Sequence, residues 1–142
     1  MKAKWKNVVK KTGIMILTIA AGALLAGCSS KLAAGFDEDS VKKSAQELID
    51  HLTAGEYQEA VDMMSQTTQG ALPVEDLSAL METAKEQTGA FQKYKSIAVV
   101  GQKDSSGTDC AVAVAAVSYE KGMVTYTISF NMDMEVIGLW MK

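Results

Sequence analysis

The first candidates for proton transfer or nucleophilic attack in this sequence are His51 and Cys110. His51 is the single histidine of the 142 residues. On its predicted helix it lies about 100° from the centre of the apolar stripe, one turn after Glu47, which favours an ion-paired histidine at the rim over a catalytic base. Cys110 begins an apolar strand without a suitably spaced histidine, so a small core residue is favoured over a nucleophile. The sequence therefore predicts no catalytic residue, and we expect that the protein is not an enzyme.

Residues that bind metals are few and are not spaced as ligands. No second histidine and no Cys-x-x-Cys pair is present, although structural metal sites depend on such pairs. The thioethers of Met132 and Met134 near a turn could bind Cu(I), but no histidine or cysteine accompanies them. Packing in an adaptable core is the favoured role of the methionines. We expect neither a metal nor any other cofactor.

Aromatic side chains could line a binding cavity. The residues predicted to do so are Tyr126, Tyr57 and Trp140. Tyr126 is best placed, because strand alternation puts it on one face with Ile128 and Phe130. A cavity lined in this way would take a small apolar or amphipathic molecule.

The elements that must position these side chains are helices first and strands second. Apolar residues at helical spacing predict helices over residues 41–54, 56–64 and 73–88. The stretch at 65–70 is expected to be a polar connection. Alternation at period two then predicts strands over 91–100, 110–119, 123–130 and 135–141, and the short turns between the last three make them an antiparallel meander. The expected fold class is α+β, with the helices packed on a curved four-stranded antiparallel sheet.

The N-terminus has the organisation of a signal peptide. Five lysines lie within residues 1–11, and an uncharged apolar run covers residues 14–26. This run is shorter than the roughly 20 residues that a membrane-spanning helix needs, and its length is typical of a signal-peptide core. The following Leu25-Ala26-Gly27-Cys28 resembles the lipobox of bacterial lipoproteins. The resemblance implies cleavage between Gly27 and Cys28 and attachment of acyl chains such as palmitate to the Cys28 sulfur.

These features predict the organisation and location of the protein. We expect a lipoprotein signal peptide at 1–27, a lipidated cysteine and tether at 28–39, and one α+β domain at 40–142. The lipid bilayer is the expected partner of Cys28, on the extracytoplasmic side of the cell membrane. From residue 28 onward, nine lysines stand against 17 carboxylates, a net charge of −8. No basic stripe is present that could neutralise phosphates, so nucleic acid is excluded as a partner.

Three stretches of the domain resemble a bacterial family of unknown function, whose members occur as lone lipoproteins or in front of α/β-hydrolase domains. The stretches are 52–60 (LTAGEYQEA), 89–91 (GAF) and 136–140 (VIGLW), and the similarity extends over roughly 41–141. The resemblance implies the cone-shaped fold of the nuclear transport factor 2-like, or more broadly cystatin-like, superfamily. Because that superfamily contains isomerases, dehydratases and non-catalytic binding modules, the fold alone does not decide the function.

The expected function is that of a non-catalytic binding or interaction domain anchored near the membrane. One alternative is binding or turnover of a small apolar ligand in a cavity of the cone, with His51 or Tyr126 taking part. Another is an accessory subunit of an envelope enzyme or transporter, which would need a protein partner and no cavity. Formation of a homodimer through a face of the sheet is a further alternative.

Overall fold

The computed structural model describes residues 31–142, and the predicted signal peptide, Cys28 and the start of the tether lie outside them. Four helices come first: α1 (Glu38–Ala54), α2 (Tyr57–Asp62), α3 (Gln66–Ala71) and α4 (Val74–Thr88). Four strands follow: β1 (Phe91–Lys103), β2 (Asp109–Tyr119), β3 (Gly122–Phe130) and β4 (Val136–Met141). The strands form one sheet in the order β1-β2-β3-β4, with every neighbouring pair antiparallel. The predicted α+β fold class is confirmed.

The ends of α1 follow from the local sequence. The Asp37 carboxylate accepts a hydrogen bond from the Ser40 backbone N–H at 2.9 Å, so Asp37 is the N-cap. At the other end, Gly55 adopts φ 79°, a left-handed conformation that favours glycine. Between these caps, one stripe of α1 is buried, formed by Val41, Ala45, Leu48, Ile49 and Leu52. None of the helices over residues 31–142 is long and apolar enough to cross a bilayer.

The prediction of a polar connection at 65–70 is wrong, because Gln66–Ala71 form the short helix α3. The Ser65 hydroxyl accepts a hydrogen bond from the Thr68 backbone N–H at 3.3 Å, so Ser65 is the N-cap of α3. Thr68 is buried. The buried residue of α3 is a threonine and not an apolar residue, so α3 shows no apolar periodicity. The hydrophobic pattern therefore did not predict this helix.

The inner face of the sheet combines small residues on β2 with large ones on β3. In the register of the two strands, Tyr126 lies opposite Ala115, and Ile128 lies opposite Ala113. All four residues are fully buried. The small alanines of β2 leave room for the large side chains of β3 beneath the helices. Small and large residues together fill the core.

Bulges in β1 and β4 decide which side chains face the core. The register of β1 shifts between Phe91 and Lys93 and again between Tyr94 and Ser96. As a result Phe91, Tyr94 and Ile97, spaced by three, all pack against the core. In β4 the extra residue Ile137 separates Val136 from Gly138.

The segment before α1 packs on the domain. Leu32 and Phe36 are partly buried against the core. The backbone of Lys31 lies against Gly101 in the C-terminal half of β1. The part of the predicted tether that the structure describes therefore contacts the sheet and the core.

Candidate functional site

The helices and the inner face of the sheet enclose an open cavity of about 180 Å³. It lies between the C-terminal end of α1, α2, α4 and the inner sheet face near the β2–β3 turn. Its apolar walls are formed by Leu52, Met81, Ala84, Phe91, Val124 and Met141. Its polar side chains are Thr53, Tyr57, Lys85, Thr88, Tyr119 and Tyr126. An apolar wall with a few polar groups is the usual composition of a ligand site.

The most buried polar group of the cavity is a pair of tyrosine hydroxyls. The hydroxyls of Tyr119 and Tyr126 are hydrogen-bonded to each other. Tyr126 is fully buried, and Tyr119 is 7% exposed. Across residues 31–142, neither hydroxyl has any further hydrogen-bond partner in the protein. Since two hydroxyls carry two protons and share one bond, one proton of the pair has no protein acceptor.

Burial keeps both hydroxyls of the pair protonated. It raises the pKa of Tyr126 far above the usual value, and the neighbouring Tyr119 adds to this effect. Burial also raises the pKa of Tyr119, while the hydrogen bond with Tyr126 acts in the opposite direction. The pair is therefore a hydrogen-bond donor at neutral pH and not a base.

One wall of the cavity belongs to an aromatic cluster. The ring of Phe91 meets the rings of Tyr94 and Tyr119 edge-to-face, with centroid distances of 5.3 and 6.0 Å. The Tyr94 hydroxyl points away to α1, where it donates to Asp50 Oδ1 at 2.6 Å, with the Gln46 carbonyl at 3.1 Å. Tyr94 thus connects β1 to α1 and packs against Phe91 of the cavity wall. This arrangement fixes the position of Phe91 and Tyr119.

The opposite side of the cavity is formed by α2 and α4. The Tyr57 hydroxyl donates to Glu82 Oε1 at 3.1 Å and so joins the two helices. Burial raises the pKa of Tyr57 to about 12, with a further contribution from Glu82. Lys85 lies one turn after Glu82 and is the only charged residue in the cavity lining over residues 31–142.

The corner between α4 and β1 is fixed to the β2–β3 turn. Glu120 accepts a hydrogen bond from the Ala90 backbone N–H at 2.7 Å. The backbone N–H of Lys121 donates to the Thr88 carbonyl at 2.9 Å. Because Thr88 and Ala90 line the cavity, these bonds hold its rim. Glu82 and Glu120 thus place carboxylates against the lining residues Tyr57 and Ala90.

Two of the three aromatic residues predicted to line a cavity do so. Tyr126 and Tyr57 are in the lining. Trp140 is not, and the prediction for this residue is corrected. It lies opposite Thr127, on the outer face of the sheet, because the bulge at Ile137 reverses the alternation that starts from Val136.

The other residues considered for chemistry lie outside this cavity. His51 Nδ1 is 3.0 Å from Glu56 Oε1, and His51 Nε2 is 3.9 Å from Glu47 Oε1. Cys110 is buried at the start of β2, and burial raises the pKa of its thiol. Met132 is 47% exposed. Across residues 31–142, no three histidine, cysteine, aspartate or glutamate side chains are grouped as metal ligands.

The comparisons with known proteins concern the fold and the family. A family profile described as protein of unknown function (DUF3887) matches residues 45–139, more than half of the chain. The chain belongs to this family. No curated protein matches the sequence. The structure is similar to the NMR structure of a protein from Ruminococcus gnavus ATCC 29149, with a TM-score of 0.66 and 23% identity over 78% of this chain and 96% of that one.

Within this DUF3887 domain, the sequence prediction missed Tyr119 and Phe91 as lining residues. Strand alternation from Ala115 through Val117 does place Tyr119 on the inner face, and this signal could have found it. Phe91 faces inward because of the two bulges in β1, and no simple sequence pattern marks them. The sequence prediction gave a helix over 73–88 but did not mark Ala84 and Thr88 as lining residues.

Proposed function

We propose that this protein is a membrane-anchored extracytoplasmic lipoprotein whose domain binds a small, largely apolar molecule without transforming it. The observation that carries the proposal is the cavity of about 180 Å³. At this size it is comparable with the roughly 150 Å³ apolar cavities that hold one benzene ring. A molecule with one ring or a short branched chain would fit.

Binding without catalysis is supported by the composition of the lining. Its described side chains include no carboxylate, imidazole or thiol. The carboxylates of Asp50 and Glu82 are bonded to the hydroxyls of Tyr94 and Tyr57. A reaction that moves a proton needs a base within reach of the substrate, and the tyrosine pair supplies only a donor.

The anchoring part of the proposal is based on the sequence around Cys28. Two acyl chains on one cysteine are sufficient for stable membrane attachment. Lys31 and Leu32 already contact the domain, so the chain between Cys28 and the fold is very short. The domain would then stay close to the bilayer.

The position of the cavity supports access from the side away from the membrane. The chain enters beside Gly101, near the N-terminal end of α1, while the cavity lies at the other end, beside Leu52. The 17 residues of α1 span about 25 Å at 1.5 Å per residue. Lys31, at the start of the described chain, and the cavity thus lie at opposite ends of the domain, so lipid attached at Cys28 would not cover the mouth.

The arrangement of helices beneath one curved antiparallel sheet is consistent with a nuclear transport factor 2-like cone. We assign the family to that superfamily as part of this proposal. The assignment explains how the inner sheet face can leave a cavity at the wide end of the cone.

The cavity function is tested by filling the space. Ala84→Leu adds three carbon atoms to the lining, and Ala116→Leu adds the same atoms on the outer face of the sheet as a control. Toluene binding to the full chain in lipid nanodiscs is measured by ligand-detected NMR, with empty nanodiscs as the blank. We expect binding to the natural chain and to Ala116→Leu, and none to Ala84→Leu. Equal binding to all three chains would contradict the proposal.

The anchor is tested separately by membrane fractionation after metabolic labelling with palmitate. Cys28→Ala should lose the label and either leave the membrane or accumulate as a precursor. Cys110→Ala, the same change at the buried cysteine, should keep both label and location. A Cys28→Ala chain that is still cleaved after Gly27 and still membrane-bound would contradict lipid anchoring.

A further inference from the structure

We propose that the ligand of the cavity is a neutral carbonyl compound of about one ring, with its oxygen bound by the Tyr119–Tyr126 pair. This inference builds on the proposed binding function and names the chemical class of the ligand. Its basis is the hydroxyl proton that has no acceptor among the described residues.

The position of the pair determines which ligand atom it contacts. Tyr126 is fully buried and lines the cavity. A ligand that reaches the pair must bring its polar atom to the buried end and leave its apolar part along Phe91 and Val124. A buried O–H without an acceptor costs free energy, and a ligand oxygen that accepts the bond removes that cost. The pair therefore selects for a hydrogen-bond acceptor.

The same pair favours an acceptor without a proton of its own. One hydroxyl donates to the other, and the second donates to the ligand, so the chain of bonds ends on the ligand oxygen. A carbonyl oxygen accepts the last of these hydrogen bonds and has no proton of its own that would need an acceptor. An alcohol would bring an additional O–H group that itself needs an acceptor.

The charges around the mouth favour a neutral ligand over an anion. Among the described residues, Lys85 is the only cation in the lining, and its side chain lies on the exposed side of α4. The Glu82 carboxylate binds Tyr57, and the Glu120 carboxylate binds the Ala90 N–H at the same rim. A carboxylate ligand would have to leave water for a buried end that holds no cation, which is unfavourable.

The test compares three one-ring probes of similar shape: acetophenone, ethylbenzene and benzoate. Their affinities for the full chain in lipid nanodiscs are measured by ligand-detected NMR, with empty nanodiscs as the blank for partitioning. We expect acetophenone to bind about three- to tenfold more tightly than ethylbenzene, the value of one net hydrogen bond. Benzoate should bind more weakly than acetophenone. The carbonyl stretching band of bound acetophenone should shift to lower frequency.

Variants locate the donor. Y119F/Y126F should bind both neutral probes alike and lose the band shift. Each single variant retains one hydroxyl and its proton, and at least one of them should keep the preference. Ser118→Ala is the control, because it removes a hydroxyl of the same sheet that is bonded to Gln92 and lies outside the lining. Thermal melting confirms that each variant is folded.

The outcomes separate this inference from the broader proposal. Equal affinities for acetophenone and ethylbenzene in the natural chain would overturn the carbonyl assignment and leave cavity binding intact. Tighter binding of benzoate, or a preference that survives in the double variant, would also overturn it. If none of the three probes binds, both the ligand class and the proposed binding function are wrong.

Discussion

The carbonyl group of Lys31 lies directly over Gly101, at a distance where a side chain at position 101 would overlap it. Gly101 pairs with Ala111 on β2, so its missing side chain would point to the inner face of the sheet. The absence of a β-carbon lets the chain before α1 cross this edge of the domain. Leu32 and Phe36 then reach the core. This contact fixes where the chain enters the fold.

Substitution of Gly101 should release the entering segment. Gly101→Ala places a methyl group against the Lys31 carbonyl, and overpacking of this kind costs about 1–3 kcal/mol. We expect a lower free energy of unfolding in urea and faster cleavage by trypsin after Lys31. Gly70→Ala is the control, since nothing lies within 4 Å of that position, and it should cause no loss. Unchanged stability and cleavage in Gly101→Ala would show that the segment does not pack as described.

The tyrosine pair should behave non-additively in stability. Tyr119→Phe or Tyr126→Phe alone takes away one partner of a buried hydrogen bond, and such a change costs about 1 kcal/mol. The double variant replaces both hydroxyls by hydrogen and removes the polar group altogether. In urea unfolding, we expect the unfolding free energy of the double variant to be no lower than that of the less stable single variant. Costs that simply add would argue against a direct bond between the two hydroxyls.

The tyrosines should ionise at higher pH in the folded protein than in the unfolded protein. The chain has four tyrosines, and the pKa of each is raised, that of Tyr57 to about 12. An unfolded tyrosine has a pKa of about 10. Near pH 10.5, tyrosinate absorbance at 295 nm should therefore be far below half of its maximum in the native protein and above half in urea.

The same shifts set the sign of the pH dependence of stability. A raised pKa of a tyrosine means that the folded state favours the protonated form. The contribution of Tyr57 is fully present below about pH 10 and is lost as pH rises toward 12. Tyr57→Phe should lessen the decline of the unfolding free energy over this range. A native titration with a midpoint near pH 10 would contradict the burial of the four hydroxyls.

His51 should act in stability and not in ligand binding. Its partners are Glu56 and Glu47, both more than half exposed, and pairs of this kind contribute at most about 1 kcal/mol. His51→Ala should lower the unfolding free energy by no more than this and leave toluene affinity unchanged. His51→Gln can keep a hydrogen bond to Glu56 and is the control. Loss of toluene binding in a His51→Ala chain with an unchanged melting curve would place His51 in the site.

The helical stripes and the strand alternation were sufficient to predict α1, α2, α4, the four strands and the fold class. The helix α3 was not predicted, because its N-cap Ser65 and its buried Thr68 are polar and produce no apolar periodicity. The cavity was predicted only in part. Tyr126 and Tyr57 follow from simple alternation and helical spacing, while Trp140 was misplaced by one bulge. A bulge depends on the pairing of two strands, which a single strand's sequence does not contain.

The hydroxyl pair also lies beyond what periodicity can predict. Tyr126 lies opposite Ala115, four residues before Tyr119 on β2. The two hydroxyls meet because their long side chains approach each other above Val117 and Val124. Contact of this kind depends on side-chain direction and on the volume left by the neighbouring residues.

Occupation of the cavity by a small molecule in the natural setting is tested most directly by native mass spectrometry of the full chain, extracted from its own envelope into lipid nanodiscs. We expect one additional mass of roughly 100–200 Da, from a ring-sized cavity, that is present in the natural chain and in Ala116→Leu and absent in Ala84→Leu. A natural chain that carries no additional mass, or the same mass in Ala84→Leu, would contradict binding in this cavity.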